Sequence, residues 1–390
     1  MKIALATEVF PPKAGGAGWS TRALALALKA AGHAVSVITT AEGPAVEGPV
    51  PVVRLAGVSG PFRRGRMVEI FRKSLSEIAG QTDVIHAQHS LSGMGALAVE
   101  RRPRVVVTVR DHWPVCFWST RMSQGSLCPQ CSTAGMWRCV DGRIPTLATP
   151  FAIPYMKHDL SSKQSALRQA DAVIAVSNAI AAELRDAAIP SVHVLPNIVD
   201  AEEVNRIAGE APRIALPARF VLFVGKLEAN KGARDLIPAM VQAKTSLPLV
   251  VLGSGALERE IEEQAAKHAI EVHLSGWADR NDVLRAMRGA EALVFPSTWP
   301  EPLSRVLLEA LALGTPIAAM DTGGTSELIE DGVSGLLAHD VMQLGDALAR
   351  IVHDAAVRFR LKEAASSRAR AFSPEVLVPL YEALYRGPGR

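Results

Sequence analysis

The stretch PSTWPEPLSRVLLEALALGTPIAAMDTGGTSELIEDGVSGLL, Pro296 to Leu337, decides how the whole chain is read. Its centre is a pair of carboxylates, Glu301 and Glu309, eight positions apart. Pro302 suits a first helical turn, and Leu303, Val306, Leu307, Ala310 and Leu311 repeat at helical spacing. The segment after Glu301 is therefore expected to be a buried helix that stops at Gly314. Eight residues are a little over two turns, so Glu309 would lie near the side of the helix that its first turn presents. Glu301 would stand at the positive N-terminal end, next to an anion site. The following GG-x-x-E-L-I-x-D-G, Gly323 to Gly332, adds a second glycine turn.

Working back from there, Phe220 to Val224 is an apolar strand that runs into GKLEANKG. Lys226 and Lys231 bracket a turn between strand and helix, where both ammonium groups can reach one diphosphate. Pro248 to Leu252 is a strand ending in the close-approach loop Gly253 to Gly255, Val272 to Trp277 reads VHLSGW, and Ala292 to Phe295 leads into the opening stretch. The N-terminal half repeats the logic. Lys2 to Ala6 is a strand, FPPKAGGAGWS a loop, and Thr21 to Ala31 a helix closed by Gly32. Amides at Gly15 and Gly16 carry no side chain and can approach a phosphate or a sugar. G-x-G-x-x-G is absent, and no acid ends the second strand, Ala34 to Thr39, so a dinucleotide fingerprint is not present. Further strands are expected at Val52 to Leu55, Val84 to His86, Val105 to Val109, Ala172 to Val176 and Val192 to Leu195. Alternating apolar strands and helices argue for parallel, doubly wound sheets.

These motifs resemble those of glycosyltransferase family 4, the retaining GT-B enzymes. The resemblance rests on E-x7-E at Glu301 and Glu309, on GKL-x3-KG at Gly225 to Gly232, on P-x-x-GG-x-G at Pro12 to Gly18, on VLPNIVD at Val194 to Asp200, and on VHLSGW. It covers nearly the whole chain and is most specific over residues 220–337. It implies two Rossmann-like domains facing a central cleft. An N-terminal acceptor domain would span 1–195, with a cysteine-rich insertion at 110–143. A donor domain would span 196–372, and a last helix, 373–390, would cross back to the first. The resemblance further implies a nucleoside-diphosphate sugar donor, UDP- or GDP-linked, and a glycan or lipid-linked acceptor. Glu309 would bind the ribose hydroxyls and Glu301 the donor sugar and phosphate. Lys226 and Lys231 would bind the diphosphate, and Gly15, Gly16, Gly253, Leu274, Trp277, Leu303, Ser304 and Arg305 would complete the donor site. Two positions depart from the family pattern. Ser304 stands where EPFG has a glycine, and Arg110 stands where T-x-HD has its histidine, with Asp111 matching. Arg110, Asp111, Lys226, Lys231 and Glu301 are the expected catalytic groups. No D-x-D triplet occurs, so the lysines rather than a divalent ion are expected to stabilise the leaving phosphate. A nucleotide-sugar-binding regulator without turnover and a GT-B-type epimerase are the rival functions.

Composition bounds the rest. A chain of 390 residues with 48% apolar content can bury a large core in two or three domains. A net charge of +3 offers no global argument for nucleic acid. No run of eighteen apolar residues occurs and KIALAT follows Met1 directly, which reads as cytoplasmic. All four cysteines, Cys116, Cys128, Cys131 and Cys139, fall in one segment. That ligand count suits a structural zinc or an iron–sulfur cluster; free thiols or two labile disulfides are the alternatives. Residues 61–80 form a basic amphipathic pattern around Met67, Ile70, Phe71, Leu75 and Ile78. It suits either peripheral contact with the inner face of a membrane or a core-packed helix with a solvated edge.

Overall fold

The computed structural model describes residues 1–56, 60, 63–123, 126–128 and 131–387. It divides into two compact units, Met1–Ile198 with Pro374–Arg390, and Val199–Ser373. Each is a parallel sheet flanked by helices, the doubly wound α/β class that the alternating pattern predicts.

The sheet of the first unit contains β1 (Lys2–Thr7), β2 (Ala34–Thr39), β3 (Val46–Glu47), β4 (Val50–Arg54), β5 (Val84–Ala87), β6 (Arg104–Val109), β9 (Ala172–Ala175) and β10 (Val192–Val194). The hairpin β7 (Met122–Ser123) and β8 (Ser126–Leu127) stands outside it. The order is β10-β9-β6-β5-β1-β2-β4-β3, parallel except for the short edge strand β3. Runs such as VVVTV need no polar alternation because helices cover both faces, and Val105, Val106, Val107 and Val109 are fully buried. The first helix, Gly16–Ala30, begins five residues before the expected Thr21, with Gly15 as its N-cap. Glycines enter this helix because the site demands them: a Cβ on Gly18 would lie 2.5 Å from that of Ala14.

The helix Arg63–Ile78 bears on the two readings of residues 61–80. Met67, Phe71 and Leu75 are buried, and a Cβ added to Gly95 in the helix Ser90–Leu97 would sit 2.5 Å from Phe71 Cβ. Met67, Phe71 and Leu75 of the apolar face therefore belong to the core, as the second reading expects. Arg63, Arg64 and Arg66 stay exposed; Pro61 and Phe62 lie outside the described residues. No helix among the described residues is long and apolar enough to cross a membrane.

The last helix, Pro374–Arg386, is part of the first unit. Tyr385 Oη and His86 Nδ1 are 2.7 Å apart, and His86 Nε2 is 2.7 Å from Thr108 Oγ1. Burial, with Arg110 nearby, drives the His86 pKa well below its ordinary value, so the ring is neutral and both its nitrogens are hydrogen-bonded. Arg104 Nε donates to the Leu384 carbonyl at 2.8 Å, and His33 Nε2 meets Glu382 Oε1 at 2.8 Å.

The second sheet contains β11 (Val221–Val224), β12 (Leu249–Leu252), β13 (Val272–Leu274), β14 (Ala292–Phe295), β15 (Ile317–Met320) and β16 (Leu336–Ala338), ordered β13-β12-β11-β14-β15-β16 and wholly parallel. β15 and β16 fall inside the Pro296–Leu337 stretch, where the sequence reading found only a helix and turns. Runs as short as IAAM and LLA have no period by which to recognise a strand.

Two predictions follow from these contacts. Tyr385→Phe leaves a buried imidazole nitrogen without a partner and should lower the stability of the first unit by about 1–3 kcal/mol; an unshifted urea midpoint would show that the hydroxyl is dispensable. The second concerns Glu8, whose Oε1 accepts from the Ser92 amide at 2.7 Å and whose pKa burial raises from 4.5 to about 7. The folded state holds this proton more tightly than the unfolded chain. Glu8 therefore contributes stability below about pH 4.5 that declines as pH rises to about 7. Against Glu8→Gln, wild-type stability should fall by up to about 3 kcal/mol across that window; parallel stability–pH curves would contradict it.

Candidate functional site

Strand order determines where chemistry can gather in the second unit. β11 lies between β12 and β14, so chain direction diverges there and the loops after β11 and β14 flank a crevice at the strand C-termini. Those loops are Gly225–Gly232 and Pro296–Ser304. They touch closely: a Cβ on Gly232, at φ +67°, would lie 1.8 Å from the Pro296 carbonyl oxygen. Trp299 N donates to the Asn230 carbonyl at 2.9 Å, and Ser297 Oγ lies 3.3 Å from the same oxygen.

This contact brings Lys231 to Glu301. Lys231 Nζ donates to Glu301 Oε1 at 2.7 Å and sits 4.1 Å from the centroid of the Trp299 ring. Ser297 Oγ donates to the same carboxylate oxygen, also at 2.7 Å. The glycine pair downstream packs on the Glu301 backbone, where Gly324 N donates to the Glu301 carbonyl at 2.6 Å. Lys226 is 65% exposed, with Glu228 Oε1 3.6 Å from its ammonium.

The helix after Glu301 starts later than expected. It spans Arg305–Leu313, and Ser304 is its N-cap, the hydroxyl accepting from Leu307 N. Pro302 and Leu303 belong to the loop, so Glu301 stands ahead of the helix rather than in its first turn. Gly314, at φ +66°, ends it as the sequence reading placed it. Glu309 is buried within this helix, and its Oε1 accepts from Arg280 Nε at 2.8 Å and Arg305 Nε at 3.0 Å. Burial alone would push this carboxyl up; Arg305 and Arg280 instead hold it below its ordinary range. Arg305 and Glu309 form the i,i+4 pair that the sequence displays, whereas Arg280 comes from another helix, Arg280–Gly289, and has no signal in the motif.

Three glycines stitch the neighbouring loops. A Cβ on Gly253 would lie 1.8 Å from the Gly225 carbonyl oxygen, and Gly253 N donates to the Gly276 carbonyl at 2.7 Å. The close approach expected at Gly253 is thus made to neighbouring backbone. Leu274 ends β13, and Trp277 projects into solvent just beyond it.

In the first unit, β1 lies between β5 and β2, and the corresponding crevice is flanked by the loops after β1 and β5. Gly15 and Gly16 are exposed at the start of the first helix, where amides have no intrahelical acceptor. Glu8, Gln88 and His89 follow β1 and β5; His89 Nδ1 is 3.1 Å from Thr7 Oγ1, and burial pushes its pKa to about 3. Arg110 is buried, donating from Nη1 to Asn197 and from Nη2 to Gln88. The position expected to touch substrate thus holds a cation engaged by two amide side chains. Asp111 is half-buried beside it, accepts from Trp113 N at 2.8 Å, and is raised in pKa by burial. His112 is bonded through Nδ1 to Glu183 Oε2 at 2.8 Å.

All four cysteines line one cavity of about 480 Å³ in the first unit, and none is in a disulfide. Among the described residues no three His, Cys, Asp or Glu side chains are placed to hold a metal ion, which corrects the expectation of a zinc or iron–sulfur site at Cys116, Cys128, Cys131 and Cys139. Cys116 follows β6, Cys128 follows the hairpin, and Cys131 and Cys139 lie before and late in the helix Thr133–Val140. Burial raises the Cys131 thiol to about 11 and the Cys139 thiol above its ordinary value.

The sequence reading missed Arg280, Ser297, Trp299, Glu8, Gln88 and Asn197. Ser297 and Trp299 stood in the quoted stretch, four and two positions before Glu301, and Asn197 stood in VLPNIVD; Arg280, Glu8 and Gln88 had no local signal.

The family profile described as Glycosyltransferase Family 4 matches residues 14–203, and that described as Glycosyl transferases group 1 matches residues 209–368. The glycogen synthase of Mycobacterium tuberculosis (strain ATCC 25618 / H37Rv) is 32% identical over 212 residues, 52% of this chain and 50% of that protein, so the chain matches half its length. The D-inositol 3-phosphate glycosyltransferase of Arthrobacter sp. (strain FB24) is 29% identical over 92% of this chain and 87% of that protein. Among solved structures, Anabaena HepE in complex with UDP-glucose superposes with a TM-score of 0.69 at 20% identity, covering 98% of this chain and 100% of that one. The chain thus matches a glycosyltransferase family 4 profile over its first half and a glycosyl transferases group 1 profile over its second, and each half is folded as a parallel-sheet α/β unit like those of its GT-B-like structural neighbours.

Proposed function

We propose that the protein transfers a sugar from a nucleoside-diphosphate sugar to an acceptor hydroxyl, with retention of anomeric configuration. The observation that carries this reading is the Lys231–Glu301 contact of 2.7 Å at the crevice of the second unit. It sets a cation for phosphate and a carboxylate for sugar hydroxyls within one bond of each other. That the Anabaena relative in fold was solved with UDP-glucose supports a nucleotide-sugar donor, UDP- or GDP-linked.

On this reading the second unit, about residues 196–372, is the donor domain. Lys231 and exposed Lys226 bind the diphosphate, which Ser304 and Leu303 also approach. Glu301 orients the sugar, and Trp277 and Leu274 meet the base. Glu309, set by Arg280 and Arg305, meets the ribose. The bond from the anomeric carbon to the phosphate oxygen breaks first, and the lysines stabilise the charge that develops on the leaving diphosphate, where a divalent ion would otherwise be required. The acceptor oxygen then bonds to that carbon from the same face, and its proton passes to the leaving phosphate oxygen. The first unit, about residues 1–195 with the insertion 110–143 and the helix 373–390, takes a glycan or lipid-linked acceptor. Asp111 and the Gln88 amide nitrogen, buried without a partner, are its candidate hydroxyl contacts. Arg110 positions Gln88, and Gly15 and Gly16 offer amides to phosphate or sugar. Free thiols suit a reducing, cytoplasmic setting.

Lys231→Ala should reduce release of free nucleotide from a panel of UDP- and GDP-sugars, followed by mass spectrometry, by at least about 100-fold. Near-normal turnover would remove Lys231 from the chemistry. Release of nucleotide by no donor in the panel, from folded wild-type protein, would favour a binding protein without turnover.

A further inference from the structure

The helix Thr149–Leu167 is apolar on two sides at its start. Its first eight residues, TPFAIPYM, carry no charge. Ile153 and Met156 are buried with Phe117, Met136 and Val140 in a small core. The other side is bare: Leu147 in the entry turn is 91% exposed, Phe151 79% and Tyr155 53%. Spacing of four residues aligns these three along one face. Trp137, on the helix Thr133–Val140 that shares the same small core, is also exposed. Scattered apolar side chains at a surface are ordinary, but a protruding row of them marks a contact surface, and a helix apolar all round normally has its second face covered.

The surrounding charge says what covers it. Arg138, Arg143 and Lys157 are exposed on the same stretch of chain as the row, and Asp141 is the one acid between residues 126 and 158. Arg64 abuts the same helix, its Nη1 pairing with Asp159 Oδ1 at 3.0 Å and its guanidinium lying 4.9 Å from the centroid of the Phe117 ring, and its neighbours Arg63 and Arg66 are exposed. Asp159 is neutralised further by Lys163 at 2.6 Å. Exposed leucine, phenylalanine and tyrosine on a basic stretch of surface have the chemistry of the interface of an anionic bilayer, whose acyl boundary takes the apolar tips and whose phosphates meet the cations.

We infer that this face docks the protein on an anionic lipid surface, with Leu147, Phe151 and Tyr155 entering the headgroup boundary and the surrounding arginines and Lys157 contacting lipid phosphate. The membrane contact that the basic pattern of residues 61–80 suggested thus moves to another helix: the arginines of that segment contribute charge, and the insertion is made by Leu147 and Phe151. The inference concerns binding alone, so vesicle binding without sugar transfer would sustain it and defeat only the proposed reaction.

Co-flotation of the full-length protein with vesicles tests it. At about 0.1 M salt, phosphatidylglycerol–phosphatidylcholine vesicles should bind at least about tenfold more tightly than phosphatidylcholine alone, and added salt should weaken binding. The double variant L147S/F151S should lose about tenfold of that affinity. Being a surface change, it should melt with the wild type. Brominated acyl chains should quench tryptophan fluorescence on binding, and less so in W137F. Equal binding to neutral and anionic vesicles, or unchanged binding of L147S/F151S, overturns the inference. So does light scattering that shows a wild-type dimer and a monomeric double variant, since a second copy would then be the occupant.

Discussion

A backbone contact too close for any side chain holds the candidate donor site together. Gly232 at φ +67° lies against the Pro296 carbonyl, leaving no room for a Cβ. That contact fixes the height of the Lys231 turn over the Pro296–Ser304 loop. Everything charged nearby follows from it: the lysine reaches Glu301, Trp299 lies under the ammonium, and Ser297 occupies the same carboxylate oxygen. The contact is possible only because β11 and β14 are neighbours in the sheet, so that two loops 70 positions apart in sequence leave it side by side.

Buried charge is handled differently in the two units. Glu309 would be costly to bury alone, and two guanidiniums keep it ionised inside the second unit. Arg110 in the first unit is treated the other way, with two neutral amides, Gln88 and Asn197, receiving its hydrogens. Burial, with the Arg110 charge adding to it, lowers the neighbouring histidines and leaves both His86 and His89 uncharged. The first crevice therefore presents carboxyls raised in pKa, Glu8 and Asp111, beside a fixed positive charge, while the second presents an ion pair.

Much of this was legible locally. Apolar runs without alternation announced parallel strands, glycines at strand ends announced close approach, and the i,i+4 relation of Arg305 to Glu309 could be read directly. Misreadings came where local pattern had two solutions. Pro302 fits a first turn, but the Ser304 hydroxyl caps the helix and starts it later. GAGWS looks like loop, yet Gly18 is the only fit for a helix lying on Ala14. Four clustered cysteines had the count of a metal site, but count is one-dimensional: all four line one cavity, and among the described residues no three side chains are placed to hold an ion.

By itself the sequence determined the fold class, the loops where ligands can approach backbone, and the charged residues that those loops carry, because strand runs, helical period and glycine positions act over a few residues. Only the tertiary structure decided who meets whom: Lys231 with Glu301, Arg280 with Glu309, Arg110 with Gln88 and Asn197. These partners are 70, 29, 22 and 87 positions apart. Their meeting depends on strand order and helix packing, which are set by the burial of whole faces and leave no mark at the positions that meet.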